Sequence, residues 1–90
     1  MIPAQKSDFK HVVITGASSG IGEALALHYS QMPGMRLSLA ARNEERLRTV
    51  AHACRNNGAE TAMILLDVTD AEAVKSWIEG IDEERPIDLI

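Results

Sequence analysis

Cysteine is nearly absent. Cys54 is the only one in ninety residues, which excludes an intrachain disulfide and a cysteine-built metal site. Positive charge is scarce too. Nine Lys and Arg stand against thirteen Asp and Glu, for a formal net charge of -4. The basic residues are scattered, apart from a loose group at Arg42, Arg46 and Arg48. Nucleic acid and anionic membranes favour a basic patch, so neither is expected as a partner. No apolar run approaches the ~20 residues of a membrane span, and the opening MIPAQKSDFK has no apolar signal-peptide core. A cytoplasmic location is expected. The chain has no repeats, low-complexity segments or linker, so residues 1–90 read as one small domain. At this length only about 60% of the unfolded surface is buried on folding, which leaves a thin stability margin.

What the chain does have is alternation. His11 to Thr15 (HVVIT) is short and β-branched, as a buried parallel strand should be. A helix is predicted from Gly20 to about Gln31, with Ile21, Ala24, Leu25 and His28 on its inner face and Pro33–Gly34 ending it. Arg36 to Ala41 (RLSLAA) is the second strand. Asn43 caps a second helix with Leu47, Val50, Ala51 and Cys54 as its buried stripe. Gly58 follows where a left-handed residue ends a helix. Thr61 to Leu66 is the third strand, and Thr69 with Glu72 forms a capping box for a third helix. That helix carries Val74, Trp77, Ile78 and Ile81 on one stripe, with Trp77 as its core anchor. Asp82, Glu83 and Glu84 lie at the unfavourable end of the dipole, so the helix is expected to stop before them. Ile87 to Ile90 (IDLI) begins a fourth strand. Strands separated by helices imply right-handed βαβ units on a parallel sheet. The fold class expected is α/β, Rossmann-like and doubly wound (β-α-β-α-β-α-β).

The segment TGASSGIG, Thr15 to Gly22, falls at the first strand-to-helix turn. In a doubly wound sheet, ligands bind at the carboxyl ends of the strands. A helix N-terminus there offers unpaired N–H groups and a positive dipole end, which suit phosphate. Gly16 would permit a tight turn, Gly20 would leave room for a pyrophosphate, and Gly22 would let the helix pack closely. Ser18 and Ser19 can add hydroxyl donors. The spacing is G-x-x-x-G-x-G, which differs from the widespread G-x-G-x-x-G dinucleotide fingerprint.

With LAAR after the second strand and LLDVTD after the third, TGASSGIG resembles the short-chain dehydrogenase/reductase family, over essentially the whole chain. The resemblance implies that Gly16, Ser18, Gly20, Ile21 and Gly22 surround the pyrophosphate of a nicotinamide dinucleotide, while Thr15 braces the turn. It implies that Asp67 and Val68 meet the adenine, the Asp67 carboxylate accepting from the exocyclic amine. At the end of the second strand, a carboxylate marks NAD and an arginine accommodates the 2′-phosphate of NADP. Ala41 stands where NAD-preferring relatives usually carry Asp, and Arg42 follows it. NADP is therefore expected over NAD, although Ser19 replaces the extra basic residue that some relatives carry in the glycine motif.

The family's chemistry uses a Tyr-x-x-x-Lys pair with a Ser and usually an Asn. The single tyrosine here, Tyr29, has Pro33 four residues later, so no catalytic residue is assigned. The expectation is the cofactor-binding first half of an oxidoreductase that moves hydride between NADP(H) and a carbonyl or alcohol substrate. The alternative is a non-catalytic dinucleotide-binding module complete at this length. An apolar fourth strand at the sheet edge would favour a homo-oligomer. His11 and His52 have no partners at metal-ligand spacing, and His28 reads as a satisfied histidine of the first helix. No metal is expected.

Overall fold

A computed structural model describes residues 10–18 and 20–87 of the chain. Its elements are β1 (His11–Thr15), α1 (Gly20–Ser30), β2 (Arg36–Ala41), α2 (Glu44–Asn56), β3 (Glu60–Leu65) and α3 (Ala71–Glu84). The strands form one parallel sheet in the order β1-β2-β3. Ser19 and most of the expected fourth strand lie outside the described residues.

Alternation along each strand sorts the sheet into two faces. Val12, Ile14, Leu37, Leu39 and Ala41 are buried in one cluster with Ala26 of α1 and with Leu47, Val50, Ala51 and Cys54 of α2. The α2 stripe is thus the one expected. Asn43 caps α2 through a 3.0 Å bond from the Arg46 N–H to its Oδ1, and Gly58 follows at φ +103°.

In α1 the inner face is shifted by about one residue from the expectation. Ala26 and Ser30 are buried, whereas Ile21 is 80% exposed, Leu25 is 42% exposed, and Ala24 and His28 are exposed. The helix sequence GIGEALALHYS is apolar almost all round, so its pattern fixes no phase. Small residues let α1 approach the sheet and α2, and they take the inner face.

The opposite sheet face is polar at its amino end. His11 is buried and bridges two elements: its Nδ1–H donates to the Arg85 carbonyl at 3.0 Å, and in the neutral ring Nε2 accepts from Ser38 Oγ at 2.7 Å. Beside it, Arg36 pairs with Glu60 at 2.9 Å and approaches Glu84 at 4.0 Å. These contacts tie down the C-terminal end of α3. The helix runs through Asp82, Glu83 and Glu84, past the stop expected from the sequence. Arg36 beside Glu84 and the 2.9 Å bond from Ile87 N–H to Asp82 Oδ1 offset the unfavourable dipole. Along α3 the expected stripe of Val74, Trp77, Ile78 and Ile81 is only half-buried, and no residue of the helix is fully buried. Trp77 lines an open surface cavity of about 470 Å³ and is not a core anchor.

Candidate functional site

Three turns meet at the carboxyl edge of the sheet. The first follows β1. Gly16 there has φ +67° and Gly20 has φ +55°, conformations that side-chain-bearing residues rarely adopt. A Cβ built on either residue would enter open space. At Gly16 and Gly20 the chain therefore presents bare, exposed backbone beside the first turn of α1, with open space where side chains would otherwise stand. Bare backbone at a helix N-terminus suits a phosphate group. Gly22 serves differently: its Cβ would lie 2.2 Å from the Gly16 carbonyl oxygen. The close approach is between α1 and the turn itself. The turn is anchored to the next strand by the Ala17 N–H, which donates to the Ala40 carbonyl at 3.1 Å. Ser18 is half-buried within the turn.

The second turn follows β2. Ala41 is buried and Arg42 is exposed directly after it. Among the described residues the Arg42 guanidinium forms no ion pair with Glu44 or Glu45; Glu44 pairs instead with Arg48, one helical turn along.

The third turn follows β3, whose ladder is extended by the Leu66 N–H donating to the Ala41 carbonyl at 3.0 Å. Asp67 and Val68 are both exposed. Asp67 Oδ1 accepts the Thr69 N–H at 2.9 Å and the Thr69 hydroxyl at 2.7 Å. These bonds, the amide first, hold the Asp67 carboxyl below its ordinary value, and the Arg42 charge adds to them. The capping box expected of Thr69 is not formed. Asp70 caps α3 by accepting the Ala73 N–H at 3.1 Å, and the Thr69 hydroxyl is committed to Asp67. Thr69 and Asp70 are adjacent cap-type residues, so sequence alone left the cap one residue off. The contact of Thr69 with Asp67 was not anticipated, although an Asp-x-Thr spacing suits an Asx turn.

The structure thus brings Gly16, Ser18, Gly20, Gly22, Arg42, Asp67 and Val68 to one edge of the sheet. Ile21, largely exposed, lines a groove of about 410 Å³ together with Val13, Ile14, Thr15, Gly22 and Leu25, beside β1. Among the described residues there is no His, Cys, Asp and Glu cluster able to hold a metal, and no helix is long and apolar enough to cross a membrane.

A family model described as short chain dehydrogenase matches residues 10–90. The chain belongs to that family. Among curated relatives, a 3-dehydrosphinganine reductase of Arabidopsis thaliana is 42% identical over 83 residues, covering 91% of this chain and 24% of that protein. An 11-beta-hydroxysteroid dehydrogenase-like protein of the same organism is 42% identical over 77 residues, covering 84% of this chain and 25% of that protein. The chain spans about a quarter of the length of the curated relatives it matches. Among solved structures, a short chain dehydrogenase/reductase from Burkholderia phymatum in complex with NAD has TM-score 0.74 and 36% identity, covering 84% of this chain and 27% of that one. An alcohol dehydrogenase from Thermococcus sibiricus complexed with 5-hydroxy-NADP has TM-score 0.71 and 37% identity, covering 89% and 35%. Solved structures similar to this chain therefore include complexes with NAD and with 5-hydroxy-NADP.

Proposed function

We propose that these residues form the adenosine side of a nicotinamide dinucleotide site that prefers NADP(H). In this reading the glycine turn, with Ser18 and Ser19, holds the pyrophosphate over the start of α1. Ile21 flanks it on the side of the apolar groove. Asp67 and Val68 receive the adenine. Arg42 receives the 2′-phosphate, to which a guanidinium fork is well matched. The observation that carries the NADP preference is the exposed Arg42 at the end of β2, clear of Glu44 and Glu45, with buried Ala41 where a ribose-binding carboxylate would mark NAD. When bound, the dinucleotide supplies hydride chemistry. The corresponding activity is reduction of a carbonyl or oxidation of an alcohol in a cytoplasmic oxidoreductase. Nothing in this chain matches the Tyr-x-x-x-Lys pair, so no residue here is given a proton-transfer role.

Amide chemical-shift mapping during titration with NADPH tests the site. The expected footprint covers Gly16 to Gly22, Arg42, Asp67 and Val68. Shifts confined to other parts of the molecule, or no shifts in the folded chain, would remove the assignment.

A further inference from the structure

Thr69 offers the group that the proposed site does not yet use. It is exposed and caps no helix, yet its amide and its hydroxyl both donate to one oxygen of Asp67, at 2.9 and 2.7 Å. An exposed aspartate otherwise samples several orientations, and binding through it would have to meet the cost of ordering it. With Oδ1 held by two donors two residues away, the carboxylate is restrained before any ligand arrives, and Oδ2 remains to accept.

We infer that Thr69 is a positioning residue for base recognition: it fixes Asp67 so that the free carboxylate oxygen accepts from the exocyclic amine of an adenine and rejects a base with a carbonyl there. This rests on the reading of Asp67 as the adenine acceptor. The same two bonds and the Arg42 charge keep Asp67 ionised. An ionised carboxylate can only accept hydrogen bonds. Adenine presents a donor at that position, whereas hypoxanthine presents a carbonyl oxygen, and two acceptors facing each other repel. Discrimination of this kind depends on the carboxylate being unable to swing away.

The test is calorimetric titration of the whole chain with NADPH and with its hypoxanthine analogue, for wild type, Thr69→Val and Thr69→Ser. Valine keeps the shape and the amide donor but removes the hydroxyl; serine keeps the hydroxyl. Thr69→Val is expected to weaken NADPH binding roughly three- to tenfold and to narrow the adenine-over-hypoxanthine ratio by a similar factor, while Thr69→Ser stays close to wild type. The Asp67 carboxyl midpoint, followed by NMR, should rise in Thr69→Val and not in Thr69→Ser. Circular dichroism checks the fold, and Thr69→Ala carries the same test if Thr69→Val is unstable. A wild-type chain that discriminates, with an unchanged ratio in the folded Thr69→Val chain, overturns the positioning role and leaves the site standing. A folded wild-type chain that binds neither dinucleotide overturns the site itself and this role with it.

Discussion

Replacing Gly22 with alanine adds one methyl group at the most crowded glycine of the described residues. Its Cβ would stand 2.2 Å from the Gly16 carbonyl oxygen, 2.8 Å from the Gly16 carbonyl carbon and 3.2 Å from the Ala17 Cα. Ordinary contact begins near 3.4 Å, so the first approach is short by about 1.2 Å. Every opposing atom is backbone, and no side chain can rotate aside. The start of α1 must lift from the turn, and the turn is held to β2 by the Ala17–Ala40 bond at 3.1 Å. Overpacking of one methyl group typically costs about 1–3 kcal/mol. The helix preference of alanine over glycine recovers at most about 1 kcal/mol, and less in a first turn. A net loss near 2 kcal/mol lowers the Tm of a domain this size by roughly 8–16 °C. Thermal unfolding followed by circular dichroism reads it. Gly80→Ala is the control: it lies in the middle of α3, its Cβ meets nothing within 4 Å, and its Tm should be unchanged or slightly higher. A Gly22→Ala chain as stable as wild type would refute the close-packing account of this residue.

Two further outcomes are expected. His11→Phe strands the buried Ser38 hydroxyl and frees the Arg85 carbonyl, which should cost about 1–3 kcal/mol and speed hydrogen exchange in α3 ahead of β2; an unchanged urea midpoint would contradict the bridging role. For Asp67 the sign follows from its lowered pKa: the folded state favours the carboxylate, so its stabilisation is present above the ordinary value of 3.8 and is lost as pH falls through the lower folded value. The difference in urea midpoint between wild type and Asp67→Asn should therefore hold above the ordinary value and shrink as pH falls below it, and a constant difference would tell against the Thr69 bonds.

The parts of the fold legible in the sequence are those where one physical signal dominates. Short β-branched runs separated by helices specify a parallel sheet, and the α2 stripe of Leu47, Val50, Ala51 and Cys54 stands out against a strongly polar opposite face. Helix α1 lacks that contrast, so its phase is set by which residues are small enough to pack, Ala26 and Ser30. Trp77 reads as a core residue by size alone, but the stripe of α3 is only half-covered, and polar contacts from His11 and Arg36 hold its end. Those contacts join residues far apart in the chain, which no local pattern reveals. At the candidate site the placement of the glycine turn, Arg42 and Asp67 at one edge of the sheet was legible because each lies just past a strand end. Thr69 was not, because Asp70 beside it satisfies the same capping rule.

The central claim is that Arg42 makes this a site for the 2′-phosphate of NADP. Calorimetric titration of NADPH and NADH against wild type and Arg42→Ala tests it most directly. The account predicts tighter binding of NADPH than NADH by the wild-type chain. It also predicts a loss of about 1.5–3 kcal/mol, or roughly ten- to a hundredfold, for NADPH on Arg42→Ala, with NADH nearly unchanged. Equal affinity for the two cofactors in wild type, or NADPH affinity that survives the substitution, would contradict it.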